Sequence, residues 1–158
     1  MIRDIRRNGA QPKDTMHKAG VALVTGMGVV IKDATTVELP KAETVANIYV
    51  ATKERIPTGV NAARMDMSDY DEDFVNIAKG EFLGLERYTD GEKFATDQYK
   101  EADFSGEVPD GTPVSVGADG KWQKLTTGSS KYVYEKPFKD NGHDLIMIRV
   151  EADAVAQA

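Results

Sequence analysis

Asp110-Gly111-Thr112-Pro113-Val114-Ser115-Val116-Gly117-Ala118-Asp119-Gly120-Lys121-Trp122-Gln123-Lys124-Leu125 decides the fold class. Apolar residues lie on both arms of an Asp-Gly pair. Glycine accepts the positive φ that a tight reversal needs, so this stretch predicts a β-hairpin. Reading outward, Lys131-Tyr132-Val133-Tyr134-Glu135 is a further strand, expected to end at Pro137. Asn141-Gly142 is a second reversal, leading into Leu145-Ile146-Met147-Ile148-Arg149-Val150, expected to be a central strand. The Ala-rich tail, 151–158, is expected to form a frayed helical turn.

Toward the N-terminus the same cadence continues. Glu81 to Tyr88 reads as a strand, Lys79-Gly80-Glu81 as a turn, and Asp90-Gly91 as a type I′ hairpin turn returning through Glu92 to Thr96. Val21 to Val24, Val29 to Ile31, Thr36 to Leu39 and Asn47 to Val50 are short apolar runs of the kind that fit strands buried on both faces. Gly26 and Gly28 mark a bulge or turn. Fifteen Val and eight Ile stand against six Leu, with twelve Thr added. β-branched side chains lose χ1 freedom on a helix and pack well on a pleated surface. The expectation is an all-β domain, a small barrel or sandwich of about ten short antiparallel strands, over residues 21–150. A division into a small and a larger lobe near residues 56–61 is left open.

Residues 1–20 differ from the rest. Arg3, Arg6, Arg7, Lys13 and Lys18 stand against Asp4 and Asp14, a net charge of +3 in a chain whose total is -6. Apolar groups there are too few to offset the ordering entropy of the segment. The expectation is an extended basic arm, either frayed or ordered against an acidic partner. His17 would be solvated within it.

The length of 158 residues suits one domain. There is no cysteine, which removes disulfides, thiolate nucleophiles and thiolate metal sites. The acidic balance argues against nucleic-acid binding through bulk positive charge. The basic start has no apolar stretch after it, and Val21 to Ile31 is too short to span a bilayer, so the expectation is cytosolic synthesis without export and no membrane partner.

Motifs for chemistry are weak. Asp69, Asp71 and Asp73 match the first three ligand positions of a calcium loop. Phe74 then stands where that loop needs glycine, and Gly80 where it needs a bidentate glutamate. The expectation is a solvated acidic loop over 66–73 with no metal assigned, the alternative being a cation site of another kind in a β loop. His143 beside Asp144 lies in a turn, and Ser68, Ser105, Ser115, Ser129 and Ser130 lack a nucleophile-elbow context, so no catalytic residue is assigned. Thr25 to Val30 has the wrong glycine spacing for a nucleotide fingerprint. No cofactor is expected. Trp122, Tyr132 and Tyr134 form either a sugar-stacking platform or cross-strand packing, with packing favoured.

From Ile56 to Val150 the chain resembles structural proteins of tailed bacteriophages, and most of all the small β-rich capsid decoration, or cement, proteins. The similar parts are Ser68 to Phe74, Gly91 to Tyr99, Val116 to Trp122, Ser129 to Val133 and Gly142-His143. The resemblance implies a non-enzymatic virion protein, made in the host cytoplasm and placed on the capsid exterior. Its partner would be the major capsid protein lattice, with a homo-oligomer on the shell as a further expectation. In that setting Arg3, Arg6, Arg7, Lys13 and Lys18 would contact capsid carboxylates. The alternatives are a phage-surface carbohydrate-binding or adhesion module and a small β-barrel hydrolase.

Overall fold

A computed structural model describes residues 1–9, 13–53 and 75–157. The protein is all-β, with several small sheets, one curled into a half-barrel. Among the described residues there are thirteen strands. They are β1 (Ile2–Arg6), β2 (Lys18–Ala19), β3 (Leu23–Val24), β4 (Gly28–Ile31), β5 (Thr36–Glu38), β6 (Tyr49–Thr52) and β7 (Asn76–Ile77), followed by β8 (Gly84–Glu86), β9 (Lys93–Thr96), β10 (Val114–Val116), β11 (Trp122–Lys124), β12 (Ser129–Asp140) and β13 (His143–Ala156). One turn of α-helix, Glu101–Phe104, interrupts them. A four-stranded sheet runs β1-β9-β13-β12, and a five-stranded sheet runs β2-β5-β4-β6-β8. Two ribbons, β10-β11 and β3-β7, complete the set.

The Asp119-Gly120 hairpin forms as the sequence implies, with Val116 opposite Trp122. At Asn141-Gly142 both residues take positive φ, 47° and 84°, so the two-residue turn is type I′ and its twist matches the strands it joins. It closes a ribbon far longer than expected. β12 runs through Pro137, which lies opposite Ile146. Proline is tolerated there because β12 is the edge strand of its sheet. The tail is a correction too. It is strand as far as Ala156, because Ser129 and Ser130 pair with Ala156 and Val155.

Asp90-Gly91 does not make a hairpin. Gly91 has φ 83° while Asp90 keeps a negative φ, and the Glu92 N–H donates to the Thr89 carbonyl at 2.9 Å. That is type II geometry, whose twist splays the flanking strands. β8 accordingly pairs with β6, and β9 with β1 and β13. Nor are all pairs antiparallel. β2 runs parallel to β5, with residues 20–35 supplying the crossover that a parallel pair requires.

The arm is the largest correction. Ile2–Arg6 is an edge strand of the main sheet, with Ile2 opposite Thr96 and Asp4 opposite Phe94. Lys18–Ala19 belongs to the five-stranded sheet, and Ala19 lies in the core. His17 is only 8% exposed, with its Nδ1 3.0 Å from Asp14 Oδ2. Pairing with distant strands supplies the burial that the segment's own composition lacks. The possible joint at 56–61 lies outside the described residues.

Two apolar clusters hold the sheets together. One gathers Phe94, Trp122, Tyr132, Ile146, Ile148 and neighbours. The other gathers Leu23, Val29, Val37, Ile77, Leu83 and Leu85. The segment entering and forming β6 serves both. Ile48 and Val50 face the first cluster, while Tyr49 and Ala51 face the second. That is the period-two alternation of a strand buried on both sides. Gly28 brings the sheets close, since a Cβ there would lie 2.4 Å from Val116 Cγ2.

Candidate interaction surface

The five arm cations were the sequence's candidate contacts, and four of them meet groups of this same chain. Arg3 pairs with Asp140 at the tip of the long ribbon. Arg7 lies 3.6 Å from Glu92 and 3.8 Å from Glu86, with its guanidinium 4.3 Å over the Tyr88 ring. Lys13 pairs with Glu86 at 3.0 Å. Lys18 sits 4.7 Å over the ring of Phe82. Arg6 alone is exposed with no described partner. The opposite charges of arm and body therefore meet largely within the molecule.

Glu92 is the hub of that contact. It is 0% exposed, yet its two oxygens accept the N–H groups of Asn8 at 2.9 Å and Thr89 at 2.7 Å. Burial pushes its carboxyl up, but those bonds and the Arg7 guanidinium outweigh burial and hold it below the usual carboxylate range. Glu43 plays a similar part for the β10-β11 hairpin. Its Oε1 accepts from Ser115 Oγ, Gln123 Nε2 and the Thr126 N–H. Here too burial is outweighed, and the carboxyl lies low. Sequence reading missed both, because a clamp is defined by partners distant in the chain.

The residues weighed for catalysis are scattered or engaged. Ser115 is tied to Glu43, and Ser130 donates to the Val114 carbonyl at 2.6 Å. Ser105 bonds the Ala102 carbonyl within its own helical turn, and Ser129 is exposed at the start of β12. His143 opens β13 beside the turn, with Asp144 ion-paired to Lys139 at 3.1 Å. Ser68 and the acidic loop 66–73 lie outside the described residues. Among the described residues no three metal-ligating side chains gather, and no helix is long and apolar enough to cross a membrane. Trp122 is 0% exposed, 5.3 Å from Phe94 and 5.2 Å from Tyr132, so it is core packing and presents no stacking face.

What reaches outward is the β12–β13 ribbon. β13 is 14 residues long, an extended span of roughly 45 Å at about 3.3 Å per residue. Its middle, Leu145 to Ile148 and Val150, is buried, and β9 covers only Ile146–Arg149. Both ends project. The tip from Lys136 to Asp144 is mostly exposed, as is the run Ala152 to Ala154 at the other end. At that end Ser130 faces Val155 while Tyr132 faces Val150, so residues 151–154 stand opposite Lys131 alone. Their backbone lacks a full partner strand, the condition under which a foreign strand can add.

A cavity opens at each end of the ribbon. Beside the tip lies one of about 440 Å³, walled by Tyr99, Phe104, Tyr134, Pro137, Phe138 and Leu145. Its rings pack in sequence, Tyr99 on Phe104 at 5.7 Å and Phe104 on Tyr134 at 5.3 Å. Toward the other end lies one of about 670 Å³, whose floor is Ile48, Tyr88, Tyr132 and Val150. With this geometry in view, comparison with known proteins identifies no relative: no family model, no curated protein and no solved structure matches the chain.

Proposed function

We propose that this chain is a non-enzymatic structural protein of a bacteriophage virion, which binds the outside of an assembled capsid and stabilises the major capsid protein lattice. The observation that supports this reading is the long ribbon held at its middle and exposed at both ends. A long span exposed at both ends suits a protein that bridges neighbouring subunits. The under-paired run 151–154 offers backbone groups to an edge strand of one neighbour, and the tip offers Phe138 and Lys139 to another. A ligand that binds only the assembled lattice stabilises that lattice by mass action, with no chemical step.

The test is co-sedimentation with undecorated shells of the cognate major capsid protein. The full chain should pellet with shells, leave regular density on their outer surface and raise their melting temperature. A variant ending at Val150 loses mostly exposed residues. It also gives up the pairing of Ser129 and Ser130 with Ala156 and Val155, so its urea midpoint should fall only modestly while the chain stays folded, and it should occupy fewer sites on the shell. A full-length chain that stays in the supernatant at saturating concentration refutes the reading.

A further inference from the structure

The larger cavity contains two polar groups that the fold leaves unused. Tyr132 is 8% exposed, lines the cavity, and its hydroxyl has no hydrogen-bond partner among the described residues. The hydroxyl itself is open to the cavity, since the sealed side-chain polar atoms without a partner among the described residues are those of Arg7, His17 and Glu135. Tyr88, in the same wall, is by contrast engaged, donating to Asp4 at 2.6 Å. Burial pushes the Tyr132 hydroxyl up to about 12, so it keeps its proton at neutral pH and remains a donor. Arg87 lies on the same wall, exposed, with no ion pair or hydrogen bond to any described residue. The other cation at the rim, Lys131, is already neutralised by Asp90 at 3.2 Å.

An unpaired guanidinium beside an unpaired phenol, over an apolar floor, asks for a planar anion on an apolar body. The Arg fork matches a carboxylate in two parallel bonds. One free cation balances a monoanion, whereas a phosphate dianion would need a second that Lys131 does not supply. We propose that this cavity is a carboxylate-binding site, in which Arg87 holds the carboxylate and Tyr132 donates to it while the apolar part rests on Ile48 and Val150. The carboxylate belongs either to a free organic acid or to an acidic side chain of a polypeptide. The proposal does not rest on the capsid reading.

The probes are 3-phenylpropionate for the free acid and the capped dipeptide acetyl-Phe-Glu-amide for the polypeptide, with 3-phenylpropanamide as the neutral control. Binding is read by NMR on the ring of Tyr132 and the guanidinium of Arg87 in the full chain. At least one carboxylate should saturate with a Kd at or below about 1 mM, and the amide should not. Which of the two binds more tightly assigns the source. Arg87→Gln should weaken binding by about tenfold. Because Arg87 is exposed, that variant keeps the fold, and an unchanged urea midpoint confirms it. Tyr132→Phe keeps the ring in the core and should weaken binding by roughly threefold. The proposal is overturned if neither carboxylate saturates up to about 10 mM. It is equally overturned if the amide binds as well as the acid, or if Arg87→Gln leaves affinity unchanged.

Discussion

Replacing Glu92 by glutamine should unlock the N-terminal strand, and the size of the effect follows from the geometry. The wild-type carboxylate accepts two backbone N–H groups, from Asn8 and Thr89, and faces Arg7 at 3.6 Å from a fully buried position. Glutamine retains one acceptor and turns an NH₂ toward the other N–H. One charge-assisted bond is lost, at about 1.5–3 kcal/mol, and the buried partner charge of Arg7 goes with it. A total of about 2–4 kcal/mol is expected in urea unfolding at pH 7, a large share of a stability of roughly 5–15 kcal/mol. The pH dependence has a definite sign. The folded carboxyl lies below its ordinary 4.5, so its contribution is complete above that value and disappears as pH falls through the folded value. The gap between wild type and Glu92→Gln should hold steady from pH 7 to about pH 5 and narrow below 4.5. Amide exchange in β1 should accelerate in the variant at neutral pH. A gap under about 0.5 kcal/mol at pH 7, or an equal gap at pH 3, would refute the clamp.

Three further outcomes are expected in the same unfolding assay. Trp122→Ala empties the centre of the larger cluster and removes the bond from Nε1 to the Gly26 carbonyl, so it should cost about 3–5 kcal/mol. Gly28→Ala drives a methyl into Val116 and should cost roughly 1–3 kcal/mol, much of which Val116→Ala in the same chain should restore. Gly142→Ala meets no atom within 4 Å, so only its positive φ is penalised and the loss should stay near about 1 kcal/mol.

Local turn chemistry made two hairpins legible from sequence, because Asp119-Gly120 and Asn141-Gly142 each join strands that pair with each other. The same chemistry misled at Asp90-Gly91. Glu92 folds its side chain back onto the Thr89 N–H, and the turn passes the chain from one sheet to another. The arm and the tail were misread for a related reason. Ile2–Arg6 and residues 151–156 are strands only by virtue of partners far along the chain, and neither has a strong pattern of its own. Trp122 and Tyr132 were legible as packing because their hairpin context was legible. The candidate binding residues were not. Arg87 and the Tyr132 hydroxyl stand out through partners they lack, a property that composition and spacing do not encode.

The strand Tyr49–Thr52 acts as a party wall between the two clusters, with Val50 on one side and Ala51 on the other. A slip of one residue in its pairing with β4 or β8 would exchange a valine for an alanine on both sides at once, leaving a void in one compartment and a clash in the other. Misregistration is thus penalised twice over by a single error. The two compartments share that piece of backbone, so neither can melt without exposing the other, and heating should give one transition.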